Sequence, residues 1–276
     1  MSTGGIAFHN LASGSSANAL LVREHGLTML VDCGLPVRKL QSALAQVGAT
    51  LDQIDLVFIT HEHIDHVRAL PQLMRRGATV MTSRGTARAL RLSPSEFIPA
   101  VSGRRHDVAA VGITPRAVAH DASEPLGITV ELSNTVITVL TDLGQVGDEL
   151  IDAMSVSNVV VLEANHDVDM LRFGPYPAHL KRRVLSGVGH LSNADCGKAL
   201  RSAIARSTSH ERKLIWLAHL SETNNRPSTA ATTVRQHIPG AHVTTLPRHD
   251  VVDLLAMNHV ESQCSRPVQT SLWIDP

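Results

Sequence analysis

Three histidines and one aspartate lie close together in the segment Thr60-His61-Glu62-His63-Ile64-Asp65-His66. Imidazole nitrogens and carboxylate oxygens are suitable ligands for zinc, manganese or iron. His61 and His63 alternate along the chain, so both can point to the same side of an extended loop. Asp65 and His66 come where a helix is predicted to begin, so they face another direction. Four ligands arranged in this way can serve two adjacent metal ions. The alternative is a surface loop that is rich in histidine by chance.

A buried strand is predicted directly before this segment. Residues 56–59 form the apolar run Leu-Val-Phe-Ile, which is typical of a central strand. The end of such a strand delivers the next residues into the crevice where α/β proteins bind ligands. Three other candidate ligands also follow predicted strands, and they are His120, Asp142 and His219. Each of them could be an ordinary turn or core residue, but their shared position favours a common site.

Predicted strands and helices alternate along most of the chain. The strands cover residues 5–10, 19–23, 27–32, 56–59, 79–82, 108–119, 128–132, 135–140, 158–163, 214–220 and 242–246. The helices cover residues 37–47, 66–76, 83–92, 147–154, 177–185, 192–207 and 227–237. No low-complexity linker separates them, which favours one domain over residues 1–276 with helices on both outer faces. Residues from about 257 to 276 show no clear period and are predicted to be a tail or a closing arm.

The composition excludes several classes of protein. The 276 residues include 25 basic and 25 acidic side chains, whereas a general nucleic-acid coat protein would be far more basic. Aromatic residues make up only 3%, which argues against recognition by rows of stacking aromatics. The apolar runs are too short to span a bilayer, and no secretory leader is evident. Three widely spaced cysteines, Cys33, Cys196 and Cys264, fit a reducing compartment. We therefore expect a cytoplasmic protein outside the membrane.

These residues resemble the metallo-β-lactamase superfamily over roughly residues 11–246. Its motif His-x-His-x-Asp-His is matched by His61, His63, Asp65 and His66, and its later ligands by His120, Asp142 and His219. The resemblance implies an α/β fold, an αββα four-layer sandwich of two mixed β-sheets flanked by helices. It also implies two divalent metal ions per chain.

The same resemblance implies a role for each ligand. One ion would be held by His61, His63 and His120, and the other by Asp65, His66 and His219. Asp142 and a hydroxide would bridge the two ions, and Asp32 would support the site. The native metal stays open between zinc, manganese and iron.

Short polar motifs narrow the resemblance to the YycJ (WalJ) branch, a bacterial group related to ribonuclease Z. These motifs are Ser13-Gly14-Ser15-Ser16-x-Asn18 and the segments 163–167, 174–177, 189–193 and 219–225. Membership of this branch would imply a metal-dependent exonuclease that acts on DNA.

Several side chains in these motifs could contact a phosphodiester. The candidates for substrate binding are Ser15, Ser16, Asn18, His166 and Asn224. His166 could instead pair with a neighbouring aspartate, and Asn224 or Asn225 could shape the turn after His219. The basic clusters at 75–76, 104–105 and 181–183 are either solvated helix faces or phosphate contacts.

Two residues are predicted to be catalytic. Asp65 would orient the nucleophile or take its proton, and His190 would protonate the leaving oxygen. A hydrogen bond at a helix start is the alternative role for His190.

The sequence thus predicts a metal-dependent phosphodiesterase, with a DNA exonuclease favoured and DNA preferred to RNA as substrate. A small-molecule hydrolase acting on a cyclic phosphodiester, thioester or lactone is the second hypothesis, and a narrow closed pocket would favour it. A structural metal site is disfavoured, because structural zinc usually closes with four ligands and seven are predicted here. Cleavage polarity and oligomeric state are not predicted.

Overall fold

The computed structural model describes residues 6–209 and 212–256. In this part of the chain, two seven-stranded sheets face each other. Sheet A contains β1 (Ala7–Ala12), β2 (Ala19–Glu24), β3 (Leu27–Val31), β4 (Leu56–Phe58), β5 (Thr79–Thr82) and β6 (Phe97–Pro99). Sheet B contains β7 (His106–Val108), β8 (Val111–Ala117), β9 (Leu126–Glu131), β10 (Val136–Leu140), β11 (Val159–Glu163), β12 (Leu214–Ala218) and β13 (His242–Thr245). The last strand, β14 (Val252–Asp253), returns to sheet A and pairs with β1.

The helices are short and lie between the strands along the chain. They are α1 (Val37–Gln46), α2 (Ile64–Val67), α3 (Leu70–Arg75), α4 (Arg84–Ala89), α5 (Asp148–Ser155), α6 (Val168–Phe173), α7 (Ala178–Val184), α8 (Asn193–Arg206) and α9 (Pro227–His237). A single turn of 3-10 helix covers Leu51–Gln53. No helix within residues 6–209 and 212–256 combines the length and the apolar character needed to cross a bilayer.

The hydrophobic layer between the sheets is built from side chains on their inner faces. It includes Phe8 and Phe58 from sheet A and Val130, Val161 and Trp216 from sheet B, all of them buried. Successive side chains of a strand point to opposite faces, so the other residues of each strand pack outward. Truncating a buried phenylalanine such as Phe58 to alanine typically costs about 3–5 kcal/mol.

Helices cover the outer face of each sheet. Leu40 of α1 and Leu73 of α3 pack with sheet A, and Leu150 of α5, Leu200 of α8 and Val234 of α9 pack with sheet B. The predicted four-layer αββα sandwich is therefore confirmed.

The predicted helix over residues 66–76 is interrupted. Ala69 N donates to Cys33 O at 2.9 Å, and Asp65 O accepts from Asn18 N at 2.8 Å, so these groups bond to neighbouring loops instead of to the helix. Pro71, near the start of α3, has no amide hydrogen to continue the earlier helix. The break fixes the loop that carries Asp65 and His66 against the segments after β1 and β3.

Several short elements were not predicted from the sequence. They are β6, β7, β14 and α6, each with two to six residues. The three strands exist because neighbouring strands offer backbone hydrogen bonds, which leaves little local signal. The predicted tail or closing arm at 257–276 lies outside the described residues.

Candidate metal centre

The candidate site is built at the carboxyl ends of the strands of both sheets. Asp32 follows β3, Asp142 lies two residues after β10, and His219 follows β12. All three have left-handed backbones, with φ of 60°, 55° and 54°. This conformation is unfavourable outside glycine and persists only where the surrounding structure holds it, often at functional sites. Three strained residues therefore lie at the same edge of the sheets, where the sequence predicts the site.

The first ligand cluster joins residues 60–66, here called the metal loop, to the segment after β8. His61, His63 and His120 each offer a nitrogen, and these atoms all lie within 4.8 Å of one another. His61 Nε2 is 3.0 Å from His63 Nδ1. The structure thus brings together the three histidines that the resemblance assigns to one ion.

The second cluster joins the same loop to the end of β12. One ligand atom each from Asp65, His66 and His219 also lies within 4.8 Å of the others. Asp142 lies between the two clusters. Its Oδ2 is 3.2 Å from His66 Nε2, and its Oδ1 is 3.4 Å from His219 Nε2 and 3.9 Å from His120 Nε2. This is the position that a shared carboxylate ligand needs.

Hydrogen bonds on the far side of the rings fix the histidine tautomers. His120 Nδ1 is 3.0 Å from the carbonyl oxygen of Gly189, which can only accept, so Nδ1 carries the hydrogen. His219 Nδ1 is 2.8 Å from Glu163 Oε1 in the same way. His66 Nδ1 is 2.7 Å from Asp32 Oδ2, so Asp32 lies where a supporting aspartate would be needed. In each neutral ring, Nε2 is left with its lone pair.

The ligand chemistry fits a divalent cation. The Nε2 atoms of His120 and His219 are buried and have no hydrogen-bond partner among the described residues. A buried polar atom without a partner is costly, and a metal bond would satisfy it. Imidazole nitrogens and carboxylate oxygens are the donors that zinc, manganese and iron accept.

The electrostatics of the two clusters differ. Burial, together with the neighbouring imidazole His66, lowers the pKa of His61 to about 2, and burial also lowers the pKa of His120. For His219, burial acts in the opposite direction to the carboxylates of Asp142, Asp65 and Glu163, which prevail and raise its pKa to about 10. The negative potential that attracts a proton there equally attracts a divalent cation, so metal and protons compete for this cluster.

Glu163, the last residue of β11, was not predicted to have a role in the site. It is fully buried, and its Oε1 lies 2.8 Å from both His219 Nδ1 and His190 Nδ1. Its Oε2 accepts from the amides of Leu143 at 2.9 Å and Leu191 at 3.3 Å. Burial raises the pKa of this carboxyl, but the two histidines outweigh burial and lower it to about 2. A carboxylate directly after the apolar run Val-Val-Val-Leu was the available sequence signal.

His190 lies beside the ligand clusters, and its Nε2 has no hydrogen bond to another described residue. Its Nδ1 contacts Glu163 and is 3.7 Å from Asp142 Oδ1. Burial opposes the charged form, but the Glu163 carboxylate outweighs it and raises the pKa of His190. Its ring stacks on His219, with centroids 5.3 Å apart. A protonated imidazole held in this way can donate a proton from Nε2.

The predicted substrate-binding residues fall into three groups. Asn18 Nδ2 lies 3.1 Å from His66 Nε2 and 3.3 Å from Asp65 Oδ2, so it faces the ligands. Ser15 and Ser16 are exposed on the adjacent turn. His166 and Asn224 are each 1% exposed, and neither His166 nitrogen nor Asn224 Oδ1 has a hydrogen-bond partner among the described residues.

The structure decides two alternatives that the sequence left open. Within the described residues, His166 does not pair with a neighbouring aspartate, since neither of its ring nitrogens has a hydrogen-bond partner there; Asp167 caps α6 by accepting from the amides of Asp169 and Met170. Asn225 shapes the turn after His219, since its Nδ2 donates to Ala164 O at 2.8 Å and Asn165 O at 3.0 Å. Asn225 and Asn193 also form a reciprocal buried amide pair.

Comparison with known proteins places this chain in a family. A model of the β-lactamase superfamily domain matches residues 28–210. The exodeoxyribonuclease YycJ of Bacillus anthracis is 35% identical over 242 residues, which cover 84% of this chain and 89% of the relative. The exodeoxyribonuclease WalJ of Streptococcus pneumoniae is 33% identical over 235 residues, which cover 82% of this chain and 85% of the relative.

Solved structures agree on the fold. The metallo-β-lactamase fold protein YhfI from Bacillus subtilis superposes with a TM-score of 0.69 at 13% identity, covering 90% of this chain and 100% of that one. The sequence relatives and the ligand clusters thus agree with the predicted resemblance. The chain belongs to the β-lactamase superfamily and, within it, to the family of YycJ and WalJ.

Proposed function

We propose that this chain is a metal-dependent exodeoxyribonuclease with two divalent ions in its cleft. The observation that carries the proposal is the carboxylate of Asp142, which lies within 3.9 Å of histidines from both ligand clusters. The names of the relatives YycJ and WalJ, both exodeoxyribonucleases, support DNA as the polymer. The identity of the metal stays open between zinc, manganese and iron.

The ligand assignment follows the two clusters. His61, His63 and His120 would hold one ion, and Asp65, His66 and His219 the other, with Asp142 shared. Two divalent ions bound there would supply Lewis acidity, activating water near neutral pH and neutralising charge on the phosphoryl oxygens.

The protein side chains would position groups and move protons. The Asp65 side chain is 18% exposed, so its carboxylate borders both the ligands and the open cleft, where it can orient an attacking water. His190 would give its Nε2 proton to the departing oxygen, and Glu163 would keep that ring charged and correctly oriented. Ser15, Ser16 and Asn18 would contact the substrate around this centre, whereas the predicted contacts of His166 and Asn224 do not fit side chains that are each 1% exposed.

The test is a nuclease assay on metal-free protein reconstituted separately with manganese and zinc. The substrates are end-labelled duplex DNA, single-stranded DNA and RNA of one sequence. We expect stepwise shortening of DNA by wild type and none by His61→Ala. The matched control is His25→Asn, because the His25 side chain is 60% exposed in the turn between β2 and β3 and should be dispensable. Cleavage of no polymer by metal-loaded wild type would contradict the proposal and favour a small-molecule ester as substrate.

A further inference from the structure

A segment near the end of the described chain crosses beside the metal centre. Residues 246–251, here called the crossing strap, connect β13 of sheet B to β14 of sheet A. Asn10, which is fully buried, donates its Nδ2 to Pro247 O at 2.9 Å and to Asp250 O at 3.1 Å. Ser13 N donates to Arg248 O at 3.2 Å. The strap is therefore fixed against the turn that contains Ser15 and Ser16.

The Arg248 side chain extends from this strap toward Gly14 and Leu220. Its Cγ and Nε lie 3.6 Å and 3.7 Å from the point that a Cβ on Gly14 would occupy. Its Nη2 donates to Leu220 O at 3.4 Å. Gly14 and Leu220 directly follow Ser13 and His219, and His219 N donates to Ser13 Oγ at 3.0 Å. The guanidinium thus packs against the residue that follows a proposed metal ligand.

Several hydrogen-bond donors near this turn have no acceptor among the described residues. Arg248 Nε is buried and has no hydrogen-bond partner within residues 6–209 and 212–256. Its nearest carboxylate oxygen, Glu222 Oε1, is 3.8 Å away on a side chain that is 57% exposed. Ser15 and Ser16 are exposed, and neither their hydroxyls nor their amides bond to another described residue. A cation and several neutral donors therefore border the cleft.

This combination of groups suits a phosphodiester. A guanidinium has five N–H donors, so it can bind a phosphate oxygen while Nη2 bonds to Leu220 O, and hydroxyls and backbone amides commonly contact phosphates as well. A polynucleotide whose scissile phosphate is at the metal centre carries further phosphates along the same strand. A small ester has none, so contacts at this place discriminate between the two kinds of substrate.

We propose that Arg248, together with Ser15 and Ser16, binds a non-scissile phosphate of the substrate strand and so sets which bond reaches the metal centre. The proposal rests on the proposed nuclease function. The competing role for Arg248 is purely structural, in which its contacts with Leu220 O and Glu222 only anchor the strap.

The test compares two substrates on the same metal-loaded enzymes. One is a DNA oligonucleotide, and the other is bis(p-nitrophenyl) phosphate, a diester that has no second phosphate. For Arg248→Gln, we expect the ratio of kcat/KM on the oligonucleotide to kcat/KM on the small diester to fall about tenfold or more, mainly through KM. The slope of log affinity against log salt concentration for the oligonucleotide should decrease in magnitude by about 0.7–0.9.

Two further variants separate a phosphate contact from an anchor. Arg248→Lys keeps the charge without the fork, so it should restore part of the ratio. Glu222→Gln removes the neighbouring carboxylate and should leave the ratio at or above the wild-type value. An equal loss on both substrates in Arg248→Gln, or no loss, would overturn the inference while leaving the nuclease function standing. If the wild-type enzyme hydrolyses the diester but no polynucleotide, both this inference and the proposed nuclease function would be overturned.

Discussion

Replacing Glu163 by glutamine tests whether this carboxylate holds His219 in the tautomer that can bind metal through Nε2. The carboxylate accepts from two backbone amides on one oxygen and faces two imidazoles on the other. Backbone amides can only donate, so the glutamine oxygen must face them, and its amide group must then face His190 and His219. Both rings would have to accept at Nδ1, which moves the hydrogen of neutral His219 to Nε2.

The expected loss follows from this change of tautomer. A ring with hydrogen on Nε2 cannot bind metal through that atom, and loss of such an outer partner typically lowers metal affinity about 10- to 100-fold. This corresponds to about 1.4–2.8 kcal/mol of binding free energy. The assay is competition between the protein and a chromophoric zinc chelator, with thermal unfolding of the metal-free protein measured in parallel.

Glu24→Gln is the matched control for this experiment. Glu24 is also a buried carboxylate, 2% exposed, and it accepts from the backbone amide of Ser133 at 2.9 Å but holds no metal ligand. Its replacement should lower stability by about 1–3 kcal/mol without changing zinc affinity. Zinc affinity within twofold of wild type in Glu163→Gln, or an equal loss in both variants, would refute the reasoning.

Three further predictions concern the backbone and the buried polar groups. In Gly34→Ala, the new Cβ would lie 1.6 Å from Asp65 O, so we expect about 3 kcal/mol or more of destabilisation and weaker metal binding, measured by urea unfolding and zinc titration. Gly147→Ala is the control: with φ of −87° and nothing within 4 Å of its Cβ, it should cost less than about 1 kcal/mol, the loss of a glycine N-cap at α5. Asn225→Ala leaves the Asn193 side chain and two backbone carbonyls without their partner, so urea unfolding should show a loss of unfolding free energy of about 1–3 kcal/mol for each unsatisfied group. A total loss below about 0.5 kcal/mol, the size of an ordinary surface substitution, would contradict the network. Burial lowers the pKa of His166 to about 4, so the folded ring stays neutral while the unfolded one takes a proton near pH 6.5. The stabilising contribution of the neutral ring should be complete above about pH 6.5 and should be lost, by roughly 3 kcal/mol in metal-free protein, as the pH falls toward 4. His166→Gln should remove this pH dependence. An unchanged slope of unfolding free energy against pH in that variant would contradict the prediction.

Much of the fold and the ligand set could be predicted from the sequence because the signals are local. The apolar run at 56–59 followed by alternating histidines predicts a strand and a metal loop, and the structure has β4 and the two clusters there. His120, Asp142 and His219 could be found because each follows a strand, and parallel strands end at a common edge.

Other parts of the cleft depend on long-range contacts and could not be predicted. Glu163 and His219 are 56 residues apart, and nothing in the sequence indicates that their side chains are in contact. Arg248 comes near Gly14 only because the strap returns from sheet B to sheet A, 234 residues later in the chain. The break between α2 and α3 likewise arises from hydrogen bonds to Cys33 and Asn18 on other loops.

The proposed two-metal chemistry is tested most directly by titrating Mn²⁺ into metal-free protein while following nucleotide release from end-labelled duplex DNA. We predict no release without metal, full activity when two ions are bound per chain, and no recovery at any Mn²⁺ concentration in Asp142→Ala, whose carboxylate lies between the clusters. Full activity in metal-free protein, or normal activity of Asp142→Ala, would contradict a shared two-metal centre.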